Sequence, residues 1–203
     1  MGKEYYDDGK LRFEGKYLDG QRNGKGKEYF GDILEFEGEY LYGKRKGKGK
    51  EYNYDGKLRF EGEYSNDQRN GKGKEYYDGK LRFEGEYSNG KRNGGGKEYY
   101  YNSKLKFEGE YSNDKKWNGK GYNKNGISDF QIKDGIGEGK EYYDNGKLEF
   151  EGQYLKGKKN GKGKEYHDNG KLYFEGEYSD GRRWNGKVYN KYGEFHFQLK
   201  NGF

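Results

Sequence analysis

One phrase of 23 or 24 residues repeats along almost the whole chain, and this period constrains the fold more than any other feature. Residues 79–100 state it in full as GKLRFEGEYSNGKRNGGGKEYY. Each copy contains Leu-x-Phe-Glu-Gly-x-Tyr, a polar turn and Gly-x-Gly-Lys-Glu-Tyr, and seven copies are marked by Phe13, Phe36, Phe60, Phe83, Phe107, Phe150 and Phe174. A short, strict period indicates an array of supersecondary units, each contacting only its neighbours.

The composition supports an ordered array only through its aromatic residues. Hydrophobic residues make up 28% of the chain and charged residues 38%, a balance that is otherwise typical of disorder. Aromatic residues make up 19% and recur with the period. Because Tyr and Phe favour strands and bury large areas, we predict an ordered sheet. The chain has no cysteine, which excludes a disulfide framework and a cysteine nucleophile.

The turn sequences of the repeat predict β-hairpins. Asp78-Gly79 is typical of a two-residue type I′ turn, which fixes the pairing of the flanking strands. Counting outward from this turn places Tyr76 opposite Leu81. The same count places Lys74 opposite Phe83. In this register one face of the sheet carries the Leu, the Phe and both Tyr of each copy, and the other face is charged.

The longer copies and the mid-strand glycines carry two further predictions. The turn Asp144-Asn145-Gly146 predicts a three-residue loop with a glycine bulge that keeps Tyr142 opposite Leu148. Glycine is otherwise unfavourable inside a strand, so we expect an aromatic ring to pack against each bare backbone position. These positions are Gly15, Gly38, Gly62, Gly85, Gly109, Gly152 and Gly176.

A single copy buries too few side chains to offset the conformational entropy of its own residues. Successive hairpins must therefore share backbone hydrogen bonds and aromatic contacts. We predict an all-β fold, an elongated single-layer antiparallel sheet of tandem β-hairpin repeats.

Residues 117–135 and 184–202 resemble each other more closely than either resembles the repeat. Both begin with Trp-Asn-Gly-Lys, and Ile132 and Leu199 replace the strand glycine. Terminal units of repeat arrays are atypical, so we interpret both stretches as caps. This predicts one array over residues 1–135 and a shorter second array over residues 136–203.

The phrase FEGEYSNGKRNGGGKEYYYNSKLKFEGEY resembles MORN repeats, which are β-hairpin units built on aromatic-Glu-Gly-x-aromatic followed by Asn-Gly-Lys-x-x-Gly-x-Gly. The resemblance covers essentially the entire chain, although the chain places Phe first and Tyr second where the family more often has Tyr first. It implies an extended sheet that acts as an interaction scaffold at membranes, with phosphoinositides or with partner proteins. It also implies that arrays pair with one another.

The first candidate site is an aromatic groove that binds a protein partner or a second copy of the chain as a homodimer. A contiguous aromatic strip without a covering layer usually marks an interaction surface. The alternative is that packing of rings on rings and on glycines already fills this face. The groove residues are Tyr17, Tyr29, Tyr40, Tyr52, Tyr64, Tyr76, Tyr87, Tyr99, Tyr111, Tyr142, Tyr154, Tyr166 and Tyr178.

The second candidate site is a basic edge that binds an anionic phospholipid surface. The period stacks positively charged residues at one set of turns, namely Lys44, Arg45, Lys46, Lys91, Arg92, Lys158 and Lys159. Each such charge near an anionic membrane surface contributes about 1 kcal/mol to the free energy of binding. The alternative is that these residues serve solubility, and we expect no nucleic-acid partner.

The sequence predicts a non-enzymatic protein with no cofactor and no metal site. His167 replaces an aromatic residue of the repeat and His196 lies in the last cap, and neither has a nucleophile beside it in the pattern. The first residues lack an apolar leader and no apolar run could span a bilayer, so we expect a cytoplasmic protein with at most peripheral membrane association.

Overall fold

The computed structural model describes residues 1–202, which contain 18 β-strands and no helix. The strands are β1 (Gly2–Tyr5), β2 (Leu11–Leu18), β3 (Gln21–Phe30), β4 (Ile33–Leu41), β5 (Lys44–Tyr52), β6 (Leu58–Ser65), β7 (Gln68–Tyr77), β8 (Lys80–Ser88), β9 (Lys91–Tyr99), β10 (Leu105–Ser112), β11 (Lys115–Tyr122), β12 (Ser128–Lys133), β13 (Ile136–Tyr142), β14 (Leu148–Leu155), β15 (Lys158–Tyr166), β16 (Leu172–Ser179), β17 (Arg182–Tyr189) and β18 (Phe195–Leu199). All belong to one antiparallel sheet of tandem hairpins, which confirms the predicted single-layer all-β fold.

The chain divides into two compact units, Met1–Gly94 and Gly95–Phe203. The boundary predicted from the sequence, between residues 135 and 136, lies within the second of these units. Within the second unit β12 pairs with β13, for example Ile132 with Gly137, so the hydrogen-bonded ladder continues through that position. Separate folding of residues 136–203 stays a prediction.

Both predicted turn types are confirmed. Asp78 and Gly79 have φ of 50° and 74°, the conformation that a type I′ turn requires, and Tyr76 lies opposite Leu81. In the longer turn, Gly146 has φ of 88° and its N–H donates to the carbonyl of Tyr143 at 2.9 Å. Tyr142 lies opposite Leu148, as expected.

The predicted register is wrong beyond the first residue pairs after the turn. A β-bulge between Glu75 and Tyr76 shifts the pairing, so that Glu75 lies opposite Phe83 and Lys74 lies opposite Glu84. Side chains alternate between the two faces of a strand, and one extra residue moves all later ones to the other face. The bulge therefore brings Glu75 to the face of the phenylalanines.

The core is one layer of phenylalanines packed on glycine backbone, as the mid-strand glycines predicted. Phe60 is fully buried, and its Cζ would lie 2.7 Å from a Cβ on the predicted Gly62 and 2.5 Å from one on Gly73 of the neighbouring strand. The rings of Tyr64 and Tyr87 stand edge-on to Phe60 with centroids 5.8 Å and 5.2 Å away. We call this side of the sheet the Phe face and the other side, which carries Glu61, the charged face.

Candidate binding surfaces

Each of the seven repeat phenylalanines on the Phe face has a cation over or beside its ring, and these cations cover the layer where no second sheet does. The guanidinium carbon of Arg69 lies 4.0 Å from the ring centroid of Phe60. The same guanidinium bridges two carboxylates, at 2.6 Å to Glu51 and 3.4 Å to Glu75. Cation–π attraction and two ion pairs therefore hold one side chain over the ring.

This arrangement recurs in both units. Arg22 lies 4.1 Å from the Phe13 centroid and bridges Glu4 and Glu28, both at 2.6 Å. In the second unit Lys159 lies 4.1 Å from the Phe150 centroid. The cation follows the repeat phenylalanine by nine positions at Arg22, Arg45, Arg69, Arg92, Lys116, Lys159 and Arg183. Arg183 differs in lying closer to the ring centroid of Tyr173, at 4.4 Å, than to that of Phe174, at 5.9 Å. This role was not predicted from the sequence, although the constant spacing of a basic residue after each phenylalanine is a signal for it.

Two carboxylates of the Phe face, Glu51 and Glu141, are held in the ionised form. Burial raises the pKa of Glu51, but hydrogen bonds from Arg69 and Tyr64 and the charge of Arg69 outweigh burial and lower it to about 2. In the second unit burial likewise raises the pKa of Glu141, and the attraction of Lys116 at 2.9 Å lowers it to about 2. These ions form a structural network, which gives none of them the near-neutral pKa of an acid–base catalyst.

One row of the predicted groove tyrosines belongs to the Phe face and is part of the core. Tyr40, for example, is 3% exposed and its ring centroid lies 5.1 Å from that of Phe13. The buried members of this row are Tyr40, Tyr64, Tyr87, Tyr111, Tyr154 and Tyr178, and Tyr17 at its end is half-buried. Ring packing buries these tyrosines in the described part of the Phe face, and partner binding through them stays a prediction.

The other row lies on the charged face, and the expectation that both rows share a face is therefore wrong. Tyr76 donates its hydroxyl hydrogen to Glu61 at 2.7 Å. Burial, as the larger cause, and this hydrogen bond together raise the pKa of Tyr76 to about 12. Tyr29 and Tyr52 make the same bond to Glu14 and Glu37. The half-buried members of this row are Tyr29, Tyr52, Tyr76, Tyr99, Tyr142 and Tyr166.

The charged face is striped by strands of opposite charge. On β7 Lys74 lies between Glu61 of β6 and Glu84 of β8, and its Nζ is 3.8 Å from Glu84. In the second unit this face forms an open cavity of about 560 Å³. Its charged lining residues are Asp129, Glu138, Lys140, Glu151, Lys162, Lys164, Glu175 and Glu177. The half-buried row of tyrosines, which the β-bulges place on the charged face, runs along this surface.

The structure separates the residues of the predicted basic edge. Arg45 pairs with Glu28 and Arg92 with Glu75, both on the Phe face. Lys159 lies 3.2 Å from Glu165 on the same face. Lys158 pairs with Asp180 at 2.5 Å. Only the lysines Lys44, Lys46 and Lys91 of this set are exposed and carry no ion pair in the described part of the chain. These residues therefore do not form one continuous positive stripe.

His167 occupies a structural position. Tyr6, Tyr100 and Tyr143 each donate a hydroxyl hydrogen to a carbonyl of the following repeat at 2.7–2.9 Å. His167 takes the equivalent place, with Nε2 at 3.4 Å from the carbonyl of Tyr189. Within residues 1–202 no His, Asp and Glu side chains cluster as a metal site, and no helix there could cross a membrane.

Family models match in several places along the chain. The model described as MORN repeat matches residues 13–32, 60–80 and 83–104. The model described as MORN repeat variant matches residues 2–19, 45–66, 136–156 and 159–180. Together these ranges cover more than half of the chain. No curated protein matches it.

Proposed function

Because the chain belongs to the MORN-repeat family, whose repeats mediate protein and membrane interactions, we propose that it is a non-enzymatic scaffold that binds a polypeptide partner on its charged face. The observation that carries this proposal is the open cavity of about 560 Å³ on that face in the second unit. Its lining is charged and open to solvent, which suits a polypeptide segment better than a small molecule, whose pockets are usually enclosed and mostly apolar.

The contrast between the two faces supports this choice. On the Phe face the aromatic rings are buried and their cations are paired, so a partner would find little apolar area to cover. On the charged face the lysines and glutamates project from the sheet, and half-buried tyrosines such as Tyr166 run beside them. Tyrosine is suited to such partly wet interfaces because its ring packs and its hydroxyl bonds.

The charge pattern specifies the chemistry of the partner. Lys164 of β15 lies between Glu151 of β14 and Glu175 of β16, and β13 contributes both Glu138 and Lys140, so both signs of charge line the cavity. A segment with both signs of charge and an aromatic or aliphatic residue would complement this surface. Complementary charges give such an interface specificity and register more than affinity.

Selection of a random-peptide display library on the immobilised chain tests this proposal. We expect enriched peptides of mixed charge to bind Lys164→Glu about tenfold more weakly, because one favourable charge becomes repulsive. The matched control is Lys156→Glu, the same charge reversal at an exposed turn outside the cavity lining. Equal binding to the wild type and Lys164→Glu, with folding checked by circular dichroism, would contradict the proposed surface.

A peripheral membrane role is the second candidate, and the exposed, unpaired Lys44, Lys46 and Lys91 favour it. Vesicles with and without phosphatidylserine, at low and at high salt, separate the two functions. Lipid binding through these lysines should require the anionic lipid and collapse in high salt, because exposed charges are screened. Peptide binding in the absence of vesicles that is weakened in Lys164→Glu and kept in Lys156→Glu would favour the polypeptide partner.

A further inference from the structure

The open cavity on the charged face of the second unit is a trough that runs across the strands. We propose that this trough binds a polyproline II segment in which a basic and an acidic residue each recur at every third position. This inference rests on the proposed function and narrows it, because it specifies the conformation and the charge spacing of the polypeptide partner. The direction of the trough, its width and the spacing of its charges carry the inference.

Glycine backbone forms the floor of the trough. The glycines that line it lie directly opposite one another on the neighbouring strands β13 to β16, namely Gly139, Gly152, Gly163 and Gly176. A Cβ on Gly163 would lie 2.8 Å from the Phe150 ring on the Phe face, so the trough side of this residue is bare backbone. Because neighbouring strands lie about 4.8 Å apart, the floor extends about 14 Å perpendicular to the strands. An occupant of the trough therefore lies across the strands.

Charged side chains form two walls along this floor. One wall carries, in strand order, Asp129, Lys140, Glu151, Lys164 and Glu175, and the other carries Glu138, Lys162 and Glu177. Within one strand the walls are two residues apart, as Lys162 and Lys164 are on β15, which corresponds to about 7 Å between Cα atoms. An α-helix is about 10–12 Å across with its side chains and is too wide to enter this gap. The occupant is therefore an extended segment.

The spacing of charges along the first wall selects the kind of extended segment. Glu151 lies directly opposite Lys164, and Lys164 lies directly opposite Glu175, so like charges recur on every second strand. Two strand spacings are about 9.6 Å. One turn of a polyproline II helix has three residues and rises about 9.3 Å, so a charge at every third residue stays aligned with this wall. Side chains on one face of a β-strand recur about every 6.7 Å and do not stay aligned.

Hydrogen bonds from tyrosines hold the acids of the first wall in place. Tyr166 donates its hydroxyl hydrogen to Glu151 at 2.7 Å, and Tyr189 donates to Glu175 at 2.6 Å. Neither glutamate has an ion pair within residues 1–202. A carboxylate that is already fixed loses less side-chain entropy when it binds a cation. The lining contains five acids and three lysines, so it attracts basic residues of a partner, and Lys164 favours an acidic residue between them.

Fluorescence anisotropy of a labelled peptide of repeated Pro-Arg-Glu, titrated with the 203-residue chain, tests the inference. Proline favours polyproline II, and each charge in this peptide recurs at every third residue. We expect it to bind about tenfold more tightly than a peptide of the same composition in shuffled order, because shuffling removes the alignment with the wall. Repeated Gly-Arg-Glu keeps the spacing but is flexible, and it should bind more weakly because ordering it costs more.

Glu151→Gln tests the acidic positions of the wall with little change to the fold, because the amide oxygen still accepts the hydrogen bond from Tyr166. This variant should bind the Pro-Arg-Glu peptide about fivefold more weakly, since a charged hydrogen bond becomes a neutral one. The matched control is Asp168→Asn, which removes one negative charge at an exposed turn outside the lining and should bind as the wild type does. Equal affinities of the two variants would overturn the inference.

The outcomes separate this inference from the proposed function. Tighter binding of the Pro-Arg-Glu peptide than of its shuffled form, with a loss in Glu151→Gln alone, supports the inference. If library peptides bind through Lys164 while the Pro-Arg-Glu peptide binds no better than its shuffled form, the inference is overturned and the proposed function stands. If neither the library peptides nor the Pro-Arg-Glu peptide binds the chain, both are overturned.

Discussion

Gly73→Ala tests the packing on which every repeat depends. A Cβ at this position would lie 2.5 Å and 2.6 Å from two carbons of the Phe60 ring and 3.1 Å from Tyr87. Carbon atoms in contact ordinarily stand about 3.5–4.0 Å apart, so the ring has to retreat by about 1 Å. Phe60 is fully buried between two tyrosines and under Arg69, so it has nowhere to retreat without displacing them.

Overpacking of this kind costs about 1–3 kcal/mol, and a displaced Arg69 adds about 0.5–1 kcal/mol of cation–π energy. We therefore expect Gly73→Ala to lower the free energy of unfolding by about 2–3 kcal/mol. The assay is thermal and urea unfolding followed by circular dichroism, with the Phe60 to Tyr87 segment monitored by hydrogen exchange, because repeat arrays can unfold locally.

Gly95→Ala is the matched control within the same kind of strand. A Cβ there meets no atom within 4 Å, because Gly95 replaces a lysine of the charged face. Alanine should be neutral or stabilise by about 0.4–1 kcal/mol through the unfolded chain. Gly73→Ala as stable as the wild type, or Gly95→Ala equally destabilised, would refute the ring-on-glycine explanation.

Three further predictions concern the cation cover and the repeat-to-repeat bonds. Arg69→Leu should lower the free energy of unfolding, measured in urea, by about 3 kcal/mol, because it leaves the buried carboxylate of Glu51 without its main partner. Arg69→Lys should lower it less, since lysine fills this place in other copies. The pKa of Glu51 is about 2 in the folded chain against an ordinary value of 4.5. The contribution of Glu51 to stability is therefore complete above pH 4.5 and is lost as the pH falls toward 2. The free energy of unfolding should fall over this pH window, and it should fall less steeply in Glu51→Gln. His167→Tyr should raise the free energy of unfolding by about 0.5–1.5 kcal/mol, because a tyrosine hydroxyl reaches the Tyr189 carbonyl, which His167 approaches only to 3.4 Å. An unchanged melting temperature would contradict this prediction.

Much of the local structure was predictable because it depends on residues close in sequence. Asp78-Gly79 and Asp144-Asn145-Gly146 specified their turns, since few residues other than Gly, Asn and Asp adopt positive φ readily. The mid-strand glycines predicted ring packing, because glycine inside a strand needs a compensating contact. The replacement of glycine by Ile132 and Leu199 likewise predicted distinct caps, and both side chains are buried.

The assignment of residues to faces was not predictable from the turn. Counting from Asp78-Gly79 gave the correct partner for Tyr76 and the wrong one for Lys74, because a bulge intervenes after Glu75. The position of a bulge depends on which arrangement packs the sheet best, and a shift of one residue exchanges the faces.

The sequence by itself determined the period, the hairpins and the identity of the core ring, because these follow from turn chemistry and from the alternation of Phe with glycine. Only the tertiary structure decided that Glu75 joins Arg69 on the Phe face and that Tyr76 leaves it. The physical reason is that a carboxylate gains more from the cation over the buried ring than from water, whereas a tyrosine hydroxyl can bond to Glu61 on the open side. That exchange fills the Phe face and leaves the charged face exposed to solvent.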